Sequence, residues 1–344
     1  MIKVLLLYGG NSSEHEISIM SAKSIINNID TNCFDITPIF ISKENIWYLS
    51  DKNNLKKKTK EIDNIITYLK SFDVVFPITH GNNGEDGKLQ GMLDLFDIKY
   101  VGSNCVSSAC GMDKELSKII FDSIGINQVP YISVDKNYCI DSVKDKLDYP
   151  MIVKPANGGS SIGISQANND RELKKAIKEA LKYDKKIIIE KFIKTRELEV
   201  AVMQDKDKLI ISNIGEIVSC HNFYDFKAKY KNKSNLIIPA NIDNEVIDKI
   251  KDTASKIFYK FNLKDYARID FFLENNHLYI NEINTIPGFT EISMFPKLIM
   301  EMGYQYPDII SVLINNNIKK WLVKPFFIFF HQISFFVQYL KSFF

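Results

Sequence analysis

The sequence predicts a mixed α/β and α+β protein, with a doubly wound α/β unit at its N-terminus and two smaller α+β lobes behind it. Three observations carry this. The apolar run Lys3–Leu7 ends in Gly9-Gly10 and leads into a helix from about His15 to Asn28. Strand Val74–Ile78, loop His80–Gly87 and helix Leu89–Leu95 repeat that order; strand, glycine turn and helix open a doubly wound unit. Far downstream, apolar and polar residues alternate through Ala267–Leu273 and again through Leu278–Asn284, the period of a strand pair.

Between these landmarks the elements follow in order. Asp51–Glu61 is rich in Lys and Asn and reads as a solvated connection or a sheet edge. A helix starts around Met112-Asp113-Lys114 and runs to about Ile124, with Gly125 as its C-cap. Strand Met151–Lys154, a glycine-rich turn, strand Ile164–Gln166, helix Asp170–Lys182 and strand Lys186–Glu190 then form an α+β unit, with Phe192–Arg196 as connector. Strands Glu197–Met203 and Leu209–Ile214, a polar and aromatic loop His221–Asn235, helix Asn244–Tyr259 and the final hairpin make a third region. The expected divisions are residues 1–113, 114–196, 197–320 and a tail, 321–344. A chain of 344 residues is long enough for two or three cores.

Composition excludes several classes. A net charge of +2 gives no case for a nucleic-acid partner. Five scattered cysteines without a C-x-x-C pair argue against a disulfide framework or a zinc site and for a reducing compartment. Met1–Tyr8 is too short for a signal segment, so a cytoplasmic protein is expected. The tail has eight phenylalanines between Phe326 and Phe344, interrupted by His331, Gln332, Ser334, Gln338 and Lys341. That pattern fits an interfacial helix, or one capping its own domain or a dimer partner, better than a membrane span.

The most informative stretch is the last hairpin. Arg268 and Asp270 share one strand face, Glu282 and Asn284 another, and a three-residue loop at Asn275–His277 sets Asp270 opposite Glu282. Two close carboxylates repel unless a proton or cation lies between them. Oxygen ligands without His or Cys suit Mg²⁺ shared with substrate phosphates; the plainer reading is a surface hairpin with solvated charges.

Other signals are individually weak. Gly158-Gly159-Ser160-Ser161 lets backbone N–H groups approach an anion, or is an ordinary hairpin turn. Lys154, ending a buried-looking strand beside it, meets phosphate or snorkels to solvent. The backbone of Glu190–Ile193 suits an adenine edge and Glu197 suits ribose hydroxyls, although an Ile-Ile-Ile-Glu strand is usually core. The loop Tyr224–Tyr230 has the character of a lid.

Taken in order, these blocks resemble the ATP-grasp ligases, and within them the D-alanine–D-alanine ligases, over residues 1 to about 320. The matching segments are Gly9-Gly10-Asn-Ser-Ser-Glu14-His-Glu-Ile-Ser18, His80-Gly-(x)₃-Glu-Asp-Gly87 with Gln90-Gly91, Met112-Asp-Lys114, Val153-Lys-Pro155 and Gly159-Ser-Ser-x-Gly163. They continue through Ile189-Glu-Lys191, Tyr224-Asp-x-x-Ala-Lys-Tyr230, Arg268-x-Asp270 and Asn281-Glu-x-Asn-Thr-x-Pro-Gly288. The resemblance implies a two-lobed ATP-grasp fold behind the N-terminal unit, and ATP-dependent joining of two D-alanines through an acyl phosphate, for peptidoglycan precursors.

The same resemblance implies roles. Lys114, Lys154 and Lys229 contact ATP phosphates, while Glu190, Lys191, Ile193 and Glu197 hold adenine and ribose. Asp270, Glu282 and Asn284 bind two Mg²⁺ ions, with Mn²⁺ as an admissible substitute. Glu14, linked to Ser160 and Tyr230, anchors the first substrate's ammonium, and His80 lines that pocket. Arg268 and the N–H of Gly288 stabilise the oxyanion, and Ser293 with the backbone of Met294 holds the second carboxylate. A homodimer is expected from the family, and membrane-surface contact is open only to the tail. Ala228-Lys229-Tyr230 keeps the form associated with D-alanine in the second position; the rivals are D-serine or D-lactate ligation and a non-catalytic ATP-binding protein. His15 stands where many members carry Arg, and Asn157-Gly158 precede the serines.

Overall fold

The computed structural model describes residues 1–218 and 235–318. Its first sheet has strand order β4-β3-β2-β1-β5. Strands β1 (Ile2–Gly9), β2 (Phe34–Ile41) and β5 (Val74–Pro77) run parallel with β1 in the middle. Val4 through Tyr8 are all buried because both faces of a parallel sheet are covered. Val4, Leu6 and Tyr8 pack with Ile19, Ala22 and Ile25 of α1 (His15–Asn28). Leu5 and Leu7 pack on the other side with Leu69 of α2 (Ile65–Leu69) and with Leu89 and Leu93 of α3 (Lys88–Leu95). Strand β1 must end in glycine: Gly9 has φ +93°, and a Cβ there would lie 2.3 Å from the carbonyl oxygen of Ile41.

The segment expected as a solvated connection or an edge is the edge. It forms β4 (Asn54–Glu61), the outer strand antiparallel to β3 (Trp47–Asp51), and exposes Lys56, Lys57, Lys58 and Lys60. A lysine-studded edge repels strand addition from another chain.

Helices α4 (Cys105–Met112) and α5 (Lys114–Ser123) meet at Asp113. Its backbone is extended and its Oδ1 accepts from the N–H groups of Glu115 and Leu116, an N-cap that starts α5. The second sheet is antiparallel, in the order β6 (Tyr131–Val134), β9 (Ile187–Lys191), β7 (Met151–Pro155), β8 (Ser165–Ala167). Helices α6 (Ile140–Lys144) and α7 (Asp170–Ala180) back it, burying Val143, Leu173 and Ile177 on Met151, Val153, Ile187 and Ile189.

The third sheet, also antiparallel, runs β12 (Asn235–Ile237), β11 (Lys208–Val218), β10 (Arg196–Asp205), β13 (Tyr266–Glu274), β14 (His277–Asn284). One face packs on α8 (Asn244–Lys260) through Ile250, Ala254 and Ile257. On the other, Ala201, Met203 and Tyr266 meet α9 (Met294–Glu301) and α10 (Tyr306–Ile318). That second core is continuous with the α1 side of the first sheet: Phe76 and Ile78 share it with Phe289, Ile309 and Ile310. The continuity locks the N-terminal sheet against the C-terminal one, with the segment after β14 between them. Among the described residues no helix is long and apolar enough to cross a membrane.

The hairpin loop differs from expectation. His277 pairs with Glu274, so the loop is the two residues Asn275 and Asn276, at φ 44° and 65°. Asparagine tolerates the left-handed region that such tight turns demand. A register shift between Asp270 and Phe271 then restores the anticipated facing, Arg268 to Asn284 and Asp270 to Glu282.

Candidate active site

A cavity of about 580 Å³ opens where the three sheets converge. Of the residues singled out from the sequence, Glu14, His80, Lys114, Ser160, Arg268, Glu282, Asn284, Gly288, Ser293 and Met294 line it.

The N-terminal wall holds the first pair. Glu14 sits at the mouth of α1, and the glycine-rich turn after β7 bends over it. Ser160 and Ser161 both have positive φ, 53° and 58°, which turns Ser160 inward so that its hydroxyl donates to Glu14 Oε1 at 2.7 Å. The turn is tied down by Asn157, whose backbone and side-chain N–H groups both donate to Asp184 Oδ2, and by Lys114 Nζ, which donates to the carbonyl of Gly158 at 2.8 Å. At Gly159 the approach is so close that a Cβ would lie 2.8 Å from Glu14 Oε2.

The hairpin supplies the opposite wall. Arg268 donates from Nε and Nη2 to the two oxygens of Asp270, both at 2.8 Å, and its Nε lies 3.0 Å from Glu199 Oε2. Burial alone would lower the guanidinium's pKa, but Asp270 and Glu199 hold it well above its ordinary value. Arg268 is therefore a fixed positive charge. Asn284 Nδ2 donates to Asp270 Oδ2 at 3.0 Å; an amide has an oxygen at its other end, so a half-turn exchanges donor for acceptor. Among the described residues no three His, Cys, Asp or Glu side chains stand ready to hold a metal alone. Two facing carboxylates and an amide oxygen nonetheless fit a hard divalent cation that takes its remaining ligands from phosphate or water.

A third cluster lies behind the cavity wall. Glu190 receives Lys118 Nζ at 2.8 Å on one oxygen and Lys154 Nζ at 2.7 Å on the other, and all three groups are buried. Burial would raise the Glu190 pKa, yet the two ammonium groups bring it down to about 2. Its carboxylate is thus committed to the lysines, and any adenine contact here falls to the backbone of β9. Lys118 was not anticipated; it lies one helical turn beyond Lys114 on α5 and reads as a surface lysine in a polar helix. Lys191 is exposed, and its N–H is taken by the carbonyl of Pro130. Lys154, Glu190, Lys191, Ile193, Glu197 and Asp270 do not line the cavity itself.

The segment after β14 forms the floor. A Cβ on Gly288 would lie 2.9 Å from Ser293 Oγ, and Ser293 Oγ accepts the N–H of Thr290 at 3.1 Å. Burial lowers the pKa of His80, leaving its imidazole neutral. Nδ1 must donate to the carbonyl of Ile286 at 2.9 Å, so Nε2 accepts from Ser21 Oγ at 3.2 Å. His80 reaches the cavity with both ring nitrogens engaged. Glu85, Ser117 and Glu199 also line it and were not assigned roles from the sequence. For Glu199 a signal existed: Glu197-Leu-Glu199 puts both carboxylates on one strand face, and the register sets Glu199 opposite Asp270. Lys229, Tyr230 and the rest of the expected lid lie outside the described residues, as do Cys220 and the aromatic tail.

The three-sheet fold, with its glycine turn held by Lys114 and its glutamate–serine pair opening onto the same cavity as the acidic hairpin, is that of an ATP-grasp ligase, an enzyme class that forms a carbon–nitrogen bond. Two family models match the chain, "D-ala D-ala ligase N-terminus" over residues 3–103 and "D-ala D-ala ligase C-terminus" over residues 120–315. The D-alanine–D-alanine ligase of Acetivibrio thermocellus is 41% identical over 93% of this chain and 98% of its own length. Among solved structures, the VanG D-Ala:D-Ser ligase of Enterococcus faecalis superposes with TM-score 0.83 at 32% identity, covering 92% of this chain and 99% of that one. The D-alanine–D-alanine ligase of Coxiella burnetii gives TM-score 0.80, also at 32% identity, covering 92% and 94%. The chain belongs to the D-alanine–D-alanine ligase family.

Proposed function

We propose that this cavity joins two D-alanines at the expense of ATP and that the residues in and around it divide the work as follows. Glu14, oriented by the Ser160 hydroxyl, holds the first substrate's ammonium group, with Tyr230 completing the link. The first carboxylate attacks the γ-phosphorus and ADP leaves, giving an acyl phosphate. The second D-alanine, its carboxylate held by Ser293 Oγ and the N–H of Met294, attacks the acyl carbon through its amine. Phosphate departs, the amine gives up a proton, and the amide bond remains.

Arg268 and the Gly288 N–H stabilise the oxyanion between attack and departure, where preorganised donors contribute most. Lys114, Lys154 and Lys229 carry the phosphates, and the backbone of Glu190–Ile193 with Glu197 takes adenine and ribose. Asp270, Glu282 and Asn284 would hold the divalent ions, two in number and Mg²⁺ by their oxygen donors. When bound, those ions neutralise charge on the transferring phosphoryl group. The loop carrying Lys229 and Tyr230 excludes water that would otherwise hydrolyse the acyl phosphate. We assign the reaction to the cytoplasm and expect a homodimer, both on the family's behaviour.

One observation carries this reading: the Glu14–Ser160 pair, which belongs to an amino-acid site, opens into the same cavity as Arg268, Glu282 and Asn284. A second reading, D-serine in the second position, is favoured by the likeness to the D-Ala:D-Ser ligase fold; Ala228-Lys229-Tyr230 argues for D-alanine. The test is phosphate release with ATP and Mg²⁺ on adding D-alanine, then D-alanine with D-serine or D-lactate, with products identified by mass. D-Ala–D-Ala from D-alanine alone supports the first reading. Product only from a mixture moves the chain to the second, and no product from any D-amino acid refutes both.

A further inference from the structure

Glu85 is buried, lines the cavity and has no part in the chemistry above. Its Oε1 accepts the N–H of Ile286 at 2.9 Å, and its Oε2 accepts the N–H of Gly81 at 3.2 Å. Ile286 belongs to the segment that ends at Gly288, and Gly81 to the loop after β5. One carboxyl group therefore bridges the two halves of the molecule at the backbone, two residues from the proposed oxyanion donor.

The rest of that segment is gripped from the same direction. His80 Nδ1 donates to the Ile286 carbonyl at 2.9 Å, and the Phe289 N–H donates to Ser21 Oγ at 3.2 Å. On the far side, the Tyr306 hydroxyl donates to the Phe289 carbonyl. Behind Glu85, Gln90 Nε2 donates to the Gly84 carbonyl at 2.9 Å and holds the loop that carries it. An acid is an expensive choice for a mere spacer, because burying a carboxyl group is unfavourable unless its bonds are well made. Two acceptor oxygens on one side chain can tie down two backbone N–H groups from separate loops at once. No apolar residue can do so.

We propose that Glu85 is a positioning residue for the amide-forming half of the reaction, fixing the Ile286–Gly288 backbone so that the Gly288 N–H meets the oxyanion. This rests on the assignment of Gly288 above. Acyl phosphate formation draws on the lysines and hairpin acids and does not need that geometry. Loosening the segment therefore slows attack by the second amine more than it slows phosphoryl transfer. Stranded acyl phosphate is then lost to water, which attacks the acyl carbon, expels phosphate and returns D-alanine. ATP is spent without dipeptide.

The experiment measures phosphate and dipeptide in the same reaction, with the full chain, ATP, Mg²⁺ and D-alanine. The unaltered enzyme is expected to release one phosphate per dipeptide. Glu85→Ala should form dipeptide about 10- to 100-fold more slowly, with clearly more than one phosphate per dipeptide and an ATP KM within about twofold of the unaltered value. Glu85→Gln keeps an acceptor for the Ile286 N–H and should restore most of the coupling. Glu85→Asp, one methylene short, can reach only one of the two N–H groups and should uncouple; it carries the test if the alanine variant does not fold. A ratio of one in both the alanine and aspartate variants, with the two rates falling together or not at all, overturns the inference. Absence of dipeptide from the unaltered enzyme instead refutes the functional reading, whatever the variants do.

Discussion

Asp270 faces Glu282 across the β13–β14 ladder because β14 carries one extra residue, Asn281, between Glu282 and Ile280, which pairs with Phe271. The bulge offsets the short Asn275-Asn276 turn and puts Asn281, Glu282 and Asn284 all on the cavity. Bulges re-aim side chains in this way next to active sites.

Both carboxylates should therefore be needed for turnover. Glu282→Ala is expected to lower turnover by on the order of 10² or more at saturating ATP. Asp270→Asn should lose activity similarly and also lose stability, since Arg268 gives up the two-oxygen pair it makes with the Asp270 carboxylate. That loss should fall toward the low end of the roughly 3–5 kcal/mol for breaking a buried pair. Steady-state kinetics over a Mg²⁺ series, beside urea unfolding of the Asp270 variant, reads both effects; unchanged turnover in either variant would count against the assignment, and an Asp270→Asn protein as stable as the parent would count against the pairing.

The hairpin also shows how far the sequence could be read. Alternation located both strands, and the facing of Asp270 and Glu282 was anticipated through a wrong loop length, because the turn and the bulge each displace the register by one. Local pattern cannot count such compensating shifts. Strand β2 and helices α9 and α10 carry no motif, and went unassigned. Lys118 and Glu85 escaped for another reason. Lys118 looks like an ordinary polar residue of its helix, and Glu85 stands in the sequence only as one position of the His80–Gly87 block; each takes its part through partners far along the chain, Glu190 for the one and Ile286 for the other. Burial of a charge is a tertiary property, invisible to periodicity.

Gly159→Ala tests the first-substrate pocket. The added methyl would lie 2.8 Å from Glu14 Oε2, so the carboxylate must move. Gly159 has no left-handed φ, which confines the effect to that contact. The KM for the first D-alanine should rise by about tenfold, equivalent to roughly 1.4 kcal/mol, while the KM for ATP stays within about twofold. A change confined to ATP would remove Glu14 from the amino-acid site.

Acid should weaken the central sheet through Glu190. Its pKa is depressed from an ordinary 4.5 to about 2 in the fold, by Lys154 and Lys118 against the opposing effect of burial. The stabilisation is therefore complete above pH 4.5 and is lost as pH falls toward 2, by about 3 kcal/mol in all. Glu190→Gln should remove that part of the acid limb and be less stable at pH 7, with two buried lysines facing an amide. Urea unfolding between pH 2 and 7 reads both; parallel curves for the two proteins would contradict the pairing.

Glu85 should act with the opposite sign. Burial first, then the nearby Glu14 and Glu282, push its carboxyl up from 4.5 to about 8, against the N–H groups of Ile286 and Gly81, which favour the charged form. A raised folded-state value means that the unfolded chain ionises first. Stability contributed by this group therefore falls as pH climbs from 4.5 to about 8 and is level above that. Glu85→Gln, which resembles the neutral acid, should flatten that decline and leave the variant more stable than the parent at pH 8.5, while the two are close at pH 4.5. Thermal melts at matched ionic strength measure the difference. A gap that does not widen with pH would mean that Glu85 is already charged in the folded enzyme at neutral pH, held so by its two backbone donors.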